Sequence, residues 1–250
     1  MACALPSACG AEEGGPLGAA TGEWLHFQVR WLGIPSGEAT LQLEVGERGN
    51  YSVQASVASI GAARVLRAID DRLTAEGQRQ RADFVPRHSA KEQLRSDHSK
   101  WIGYLFDREM RQVVRRVRAR QGEEERPEER LPIPLASDRV RDPLSAFYAL
   151  RAQSELLPGH SLERLIVDGE KVYCLSITPG SRQRMQTALG DFTVIPLQVA
   201  VDNSELFRQR GPILIWLTDD ARRMPIRVEA QLAFGAVVAE LAAFEAGNGG

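Results

Sequence analysis

From Glu23 onward the chain alternates between apolar and polar residues. Leu25, Phe27, Val29 and Trp31 are separated by His26, Gln28 and Arg30. After the turn Gly33-Ile34-Pro35-Ser36-Gly37, the series Ala39, Leu41, Leu43 and Val45 is separated by Thr40, Gln42 and Glu44. Arg48-Gly49-Asn50 turns the chain again, and Tyr51, Val53, Ala55 and Val57 repeat the pattern. Successive side chains of a strand point to opposite faces, so a period of two marks a sheet buried on one side. Three such strands joined by short glycine-containing turns predict an antiparallel meander. The signature returns late in the chain. Ile213, Ile215 and Leu217 share one face, Asp219-Asp220-Ala221-Arg222-Arg223 forms a polar turn, and Ile226, Val228, Ala230 and Leu232 share a face of the return strand. Pro225 opens that strand, where a missing N–H is tolerated.

The intervening segments fill in the plan. Ser59 to Leu66 reads either as a short helical turn capped by Ser59 or as a bend leading into a strand through Asp70-Asp71-Arg72-Leu73. Ala82 to Arg87 predicts an edge segment, and Ser89 to Asp97 is a polar stretch between His88 and His98. Trp101–Phe106 and Gln112–Val117 predict a hairpin turning at Asp107-Arg108-Glu109. Residues 121–130 are charged and predict a solvated loop. Asp142-Pro143 is a helix start, with a capping carboxylate and a proline preset for the first turn. Leu144, Phe147, Tyr148 and Arg151 then fall on one face. Beyond Gly159 the pattern is β again, in Leu162–Val167, Lys171–Ile177, Thr193–Val201 and Ala236–Phe244. Two hairpins, Leu66–Arg87 and Leu214–Arg227, each return near a proline and faintly suggest related halves. The expected fold is therefore mainly β, a strongly curved antiparallel sheet or open barrel with one packed helix over about 142–152. The expected organisation is a disordered leader over 1–21, a single β-rich domain over 22–245, and a loose tail over 246–250.

Composition narrows the functional classes. The 250 residues are 43% hydrophobic, enough for a well-buried core. A net charge of -2 gives no broad basic footprint, so nucleic acid is not an expected partner. No apolar run is long enough for a transmembrane segment. Cys3, Cys9 and Cys174 show neither a CxxC pair nor metal-ligand spacing. Leu5-Pro6-Ser7-Ala8-Cys9-Gly10 faintly resembles the end of a lipoprotein signal with Cys9 as the acylated residue, although Pro6 replaces the usual leucine. The expected location is periplasmic or outer-membrane-associated if a signal lies in the leader or upstream, and cytoplasmic otherwise.

Candidate chemistry is sparse. Asp219 and Asp220 are adjacent, and neighbours on a strand point apart, so they read as turn carboxylates before they read as an acid–base pair. Arg222, Arg223 and Arg227 beside them offer either an anion site or ion pairing. Trp31 and Trp216 are expected on strands, and would line a pocket if both face the concave side of the sheet. The ligand-binding candidates are thus Trp31, Trp216, Arg222 and Arg223. His26, His88, His98 and His160 are scattered, and Ser145 lacks a nucleophile elbow. No catalytic residue, metal site or cofactor is read from the sequence.

Three segments together resemble a known family: Val29-Arg30-Trp31-Leu32-Gly33-Ile34-Pro35-Ser36-Gly37-Glu38-Ala39, Asp142-Pro143-Leu144-Ser145-Ala146-Phe147-Tyr148-Ala149-Leu150-Arg151, and Ile215-Trp216-Leu217-Thr218-Asp219-Asp220-Ala221-Arg222-Arg223-Met224-Pro225-Ile226. In this order they are similar to the bacterial family called domain of unknown function 3108. The resemblance spans about Glu23 to Phe244 and implies export to the cell envelope. It carries over no catalytic residue, because that family has no established activity. The chain departs from the pattern at its start, which lacks a basic and then apolar signal, and over Arg108–Arg130, which is expanded. Its hairpins also resemble those of periplasmic lipoprotein carriers, whose curved sheets wrap helices and hold acyl chains. The resemblances imply an envelope binding or assembly module for a lipid, another hydrophobic ligand or an envelope protein. The alternative expectation is a hydrolase acting on envelope material through the turn carboxylates.

Overall fold

The structure is a computed structural model describing residues 22–66, 68–122, 124–201, 209–232 and 235–246. The predicted leader, with Cys3 and Cys9, lies outside the described residues, as does the tail beyond Ala246. The alternating segments become β1 (Gly22–Trp31), β2 (Ile34–Val45), β3 (Asn50–Ser59), β4 (Asp70–Gln80), β5 (Asp83–Leu94), β6 (His98–Asp107) and β7 (Gln112–Gln121). Two short strands follow, β8 (Glu124–Glu125) and β9 (Glu129–Pro134). The second half supplies β10 (Leu162–Asp168), β11 (Lys171–Pro179), β12 (Gln183–Thr187), β13 (Gly190–Val201), β14 (Gln209–Thr218), β15 (Pro225–Leu232) and β16 (Gly235–Ala246). Helix α1 (Gly61–Leu66) joins β3 to β4, and α2 (Pro143–Arg151) joins β9 to β10.

Among the described residues the sixteen strands belong to one sheet, in the order β10-β11-β13-β14-β15-β16-β1-β2-β3-β4-β5-β6-β7-β8, with β12 on β13 and β9 on β7. Every strand pairing is antiparallel. The first and last strands, β1 and β16, meet in mid-sheet and join the two halves of the chain. The fold is thus mainly β, and the sheet curls without closing. Its far edges are still brought side by side. Arg141 bridges Ile166, the Tyr104 hydroxyl donates to the Gly169 carbonyl at 3.3 Å, and Arg115 reaches Glu170 at 3.5 Å. Val167 joins Ile102, Phe106, Val113 and Ile133 in one apolar cluster between those edges.

Prolines mark where the curl is made. Pro35, Pro86 and Pro225 each sit at a register shift, opposite Arg30, Gly77 and Leu217. A bulge leaves a residue unpaired and increases local twist, so it accepts a residue without an N–H in an interior strand. This corrects the edge expected at Ala82–Arg87. That segment opens β5, which pairs with β4 on one side and β6 on the other. The solvated loop at 121–130 contains β8 and the start of β9, because main-chain pairing to β7 needs no apolar side chain. Ser59 does not cap α1. Its hydroxyl accepts the Ile69 N–H at 2.9 Å and closes the loop behind the helix.

Helix α2 lies against the concave face. Asp142 caps it, accepting the N–H groups of Leu144 and Ser145 at 3.0 and 3.1 Å. Tyr148, Ala149 and Ala152 enter the cluster of Leu25, Phe27, Leu41, Leu43, Val53 and Phe84. Leu150 enters a second cluster with Ile195, Leu197 and Leu217. The helix plugs the end of the barrel at which β1, β3 and β5 begin. Its Arg151 is completely buried. That guanidinium meets Glu23 through two bonds of 2.7 and 2.6 Å, donates to the carbonyls of Arg223 and Arg222 at 2.9 and 3.0 Å, and lies over the Tyr148 ring at 4.8 Å. Removing one partner of a buried ion pair leaves an uncompensated charge. Arg151→Met is expected to lower unfolding free energy in urea by ~3–5 kcal/mol, whereas Glu23→Leu with Arg151→Met recovers most of the loss. A single-variant loss below about 1 kcal/mol contradicts the role given to this pair.

Candidate functional site

The concave face continues beyond the plug, and its burial changes along the way. The register aligns Trp31 with Val237, Ala230 and Ile213, and Val29 with Ala239, Val228 and Ile215. Phe27 aligns with Ala39 and Val57, and Leu25 with Leu41, Ala55 and Leu73. Cross-strand partners share a face, so these rows all look inward. Beside the plug, Leu25 and Phe27 are 1% and 6% exposed. Further along, Val29, Ala39, Ala55, Leu73, Ile213, Ile215, Val228 and Ala239 are only half-buried, and Val57 and Trp31 reach 37% and 39%. Exposure that rises along one inward face means that solvent reaches an apolar lining. The arrangement is a basin floored by α2 and open at the end bearing α1 and the β1–β2 and β15–β16 turns.

One wall of the basin is polar. Asp71, Gln93 and Lys100 form an inward row beside Val57, and Lys91 stands between Leu73 and Ile102. Asp71 is ion-paired with Arg95, and Gln93 donates to it at 3.4 Å. Lys91 and Lys100 are therefore diagonal neighbours on the same face, in a chain with one other lysine, Lys171. An apolar wall facing paired ammonium groups has the polarity needed for an amphipathic anion. No alternation pointed to this wall. Ser89, Lys91 and Gln93 make the inward face of this segment polar, so its period of two carries no hydrophobic signal.

The residues singled out from the sequence are distributed differently. Trp31 stands at the mouth of the basin. Trp216 aligns with Arg227, Glu240 and Gln28, a row on the opposite face of the sheet, and the Arg227 guanidinium covers its ring at 5.4 Å. Arg222 and Arg223 lie in the β14–β15 turn, at the plugged end and away from Trp31. Arg223 pairs with Asp219 at 3.0 Å, and Arg182 holds the other oxygen of that carboxylate at 2.5 Å. Arg222 reaches Asp220 at 3.4 Å and lies over the Phe244 ring at 5.6 Å. Asp220 accepts the N–H groups of Arg222 and Arg223 and the Thr218 hydroxyl, which makes it a turn-forming residue. The bond from Arg182, then that from Arg223, hold the Asp219 carboxyl below its ordinary range. A general acid requires the opposite shift.

A second cleft of about 510 Å³ lies on the convex face over β5–β7, around Trp101. The Trp101 ring lies on Gly103, where a Cβ would sit 2.2 Å from it, and Arg118 stacks on the ring at 5.0 Å. Arg118 and Arg130 both bind Glu128 at 2.7 Å, so the guanidinium stacked on Trp101 already has a carboxylate partner.

Beneath the basin, Ser145 donates to Asp142 and lies 2.7 Å from the Tyr51 hydroxyl. Ser145 is fully buried, so this trio braces the floor and is closed to a substrate. Burial pushes the Asp142 carboxyl up to about 6 against the hydrogen bonds that favour its ionised form. The folded protein holds that proton more tightly than the unfolded chain does. The resulting stabilisation is complete below about pH 4 and is lost as pH rises through about 6. One pKa unit corresponds to about 1.4 kcal/mol, so the effect amounts to ~3 kcal/mol. Asp142→Asn keeps a capping side chain and cannot ionise. Its stability relative to wild type is expected to rise by this amount between about pH 4 and 7 in urea titrations; a flat difference contradicts the buried carboxyl.

Comparison with known proteins agrees with this architecture. No curated protein matches the chain. Among solved structures, a beta-barrel-like protein of domain of unknown function DUF1849 from Brucella abortus is similar, with a TM-score of 0.58 at 8% identity over 91% of this chain and 98% of that one. At that identity the likeness concerns the fold. Residues 26–242, which include β1, the α2 plug and the Asp219 turn, match the family described as Protein of unknown function (DUF3108), and the chain belongs to that family.

Proposed function

We propose that this protein is a non-enzymatic binding module of the cell envelope that holds an amphipathic lipid in its basin. The observation that carries the reading is the gradient on the concave face, from fully buried Leu25 to half-exposed Val29, Ala39 and Val57. Exposed apolar lining is unfavourable in water at roughly 25 cal/mol per Å², and an acyl chain relieves that penalty. Lys91 and Lys100 on the polar wall favour an anionic head group. The envelope setting is supported by the export that the family resemblance implies. Among the described residues no helix is long and apolar enough to cross a membrane, so α2 is read as a plug and not as an anchor.

Protein purified from its own host is expected to release an acyl lipid on extraction, seen as a bound mass by native mass spectrometry. The stripped protein is expected to bind N-phenylnaphthylamine saturably and to give it up to a lysophospholipid. Ala39→Phe and Ala239→Phe, which narrow the basin, are expected to weaken probe binding at least tenfold while preserving the β circular dichroism spectrum. Lys91→Glu with Lys100→Glu is expected to weaken anionic lipids and spare the neutral probe. Absence of both extractable lipid and saturable probe binding would remove the reading.

A further inference from the structure

The basin opens through a rim of apolar tips. Leu32 and Ile34, at the β1–β2 turn, are 62% and 65% exposed, and Val65 and Leu66, at the end of α1, are 88% and 82% exposed. Soluble surfaces scatter such residues singly, whereas grouped ones mark an interaction surface. These are grouped. The Leu32 N–H donates to the Ala236 carbonyl at 3.1 Å, and a Cβ at Gly235 would lie 2.2 Å from the Leu32 side chain, so Leu32 rests on the β15–β16 turn. The Ile60 N–H donates to the Ser36 carbonyl at 3.0 Å and ties the start of α1 to β2.

The turn itself supplies an independent observation. Leu32 has φ 52° and Gly33 φ 80°, the left-handed pair of a two-residue hairpin. Asn, Asp or Gly occupies the first such position without strain, and leucine does not. A large apolar side chain is thus held out at a position that disfavours it. The flanks identify what it meets. Trp31 closes β1 next to Leu32, and the exposed Arg30 and Arg64 border the tips, with Asp70 at the start of β4 and Asp71, already ion-paired with Arg95, beside it. Apolar tips, an aromatic at the boundary and guanidinium groups beside it match the depth profile of an anionic bilayer surface. A protein partner would need a shaped counter-surface, whereas a bilayer needs only that the tips reach a common level.

We propose that this rim docks the protein on an anionic lipid bilayer, with Leu32, Ile34, Val65 and Leu66 below the head groups and the basin facing the membrane. Loading of lipid through that mouth rests on the basin reading above; the docking itself does not. The full chain is expected to co-sediment with vesicles of phosphatidylethanolamine and phosphatidylglycerol at 3:1, and less with pure phosphatidylcholine. Brominated lipid is expected to quench part of its tryptophan emission, and Trp31→Phe to abolish that part. Leu32→Ser with Ile34→Ser, and separately Val65→Ser with Leu66→Ser, are expected to reduce vesicle partitioning at least tenfold while leaving N-phenylnaphthylamine uptake intact. Vesicle binding without probe uptake supports docking and removes the basin reading alone. Absence of wild-type vesicle binding overturns docking, as does unchanged partitioning in both variants. A concentration-dependent dimer that the variants abolish, seen by sedimentation velocity, also overturns docking, because a second copy would then be the occupant.

Discussion

The architecture depends on one buried charge. Arg151 has no access to water, and a guanidinium in that position must have its donors satisfied by the protein. Its partners come from distant parts of the chain: Glu23 at the start of β1, and the carbonyls of the turn between β14 and β15. Glu23 also accepts from Tyr148 at 3.0 Å, so the two helix residues converge on one carboxylate. An ion pair of this kind contributes little net stability, since desolvation offsets its attraction. It contributes geometry. The helix has one rotation and depth at which these four hydrogen bonds of Arg151 are made, and the sheet has one curl that delivers their acceptors.

That constraint explains why one chain is filled at one end and open at the other. The helix has only nine residues, about 14 Å of rise at 1.5 Å per residue. Strands such as β2 and β16, of 12 residues each, extend about 40 Å at 3.3 Å per residue. A short plug inside long strands covers the lower rows of the concave face and leaves the upper ones without a layer above them. Ordinarily a sheet face without a covering layer turns polar. Here β1–β3 and β13–β16 stay apolar, and only the β4–β6 wall becomes polar. The binding proposal follows from that mismatch between element lengths and side-chain chemistry.

Much of the fold was legible in the sequence, and the reasons are local. The β1–β3 meander, the β6–β7, β10–β11 and β14–β15 hairpins and the Asp142 cap follow from alternation, turn residues and capping chemistry acting within a dozen residues. The segments that alternation did not reveal have physical reasons too. β12 and β8 pair with few apolar side chains. β5 carries a proline that signals an edge, but a bulge admits it to the interior. The site was less legible. Trp31 and Trp216 are both tryptophans on strands, yet three register steps from Gln28 to Trp31 put them on opposite faces. Arg222 and Arg223 sit beside acids that already hold them. Arg151 fell on the apolar face of the helix, but nothing near it or Glu23 in sequence shows that the two meet.

The sequence by itself determined that this chain forms antiparallel strands with one capped helix, because side-chain period, turns and caps are set by neighbours along the chain. Only the tertiary structure decided how far the sheet curls, which end the helix fills, and which apolar rows remain open. Those outcomes depend on bulge positions and on contacts between residues more than a hundred positions apart, such as Glu23 with Arg151, separated by 128. Local pattern cannot encode them.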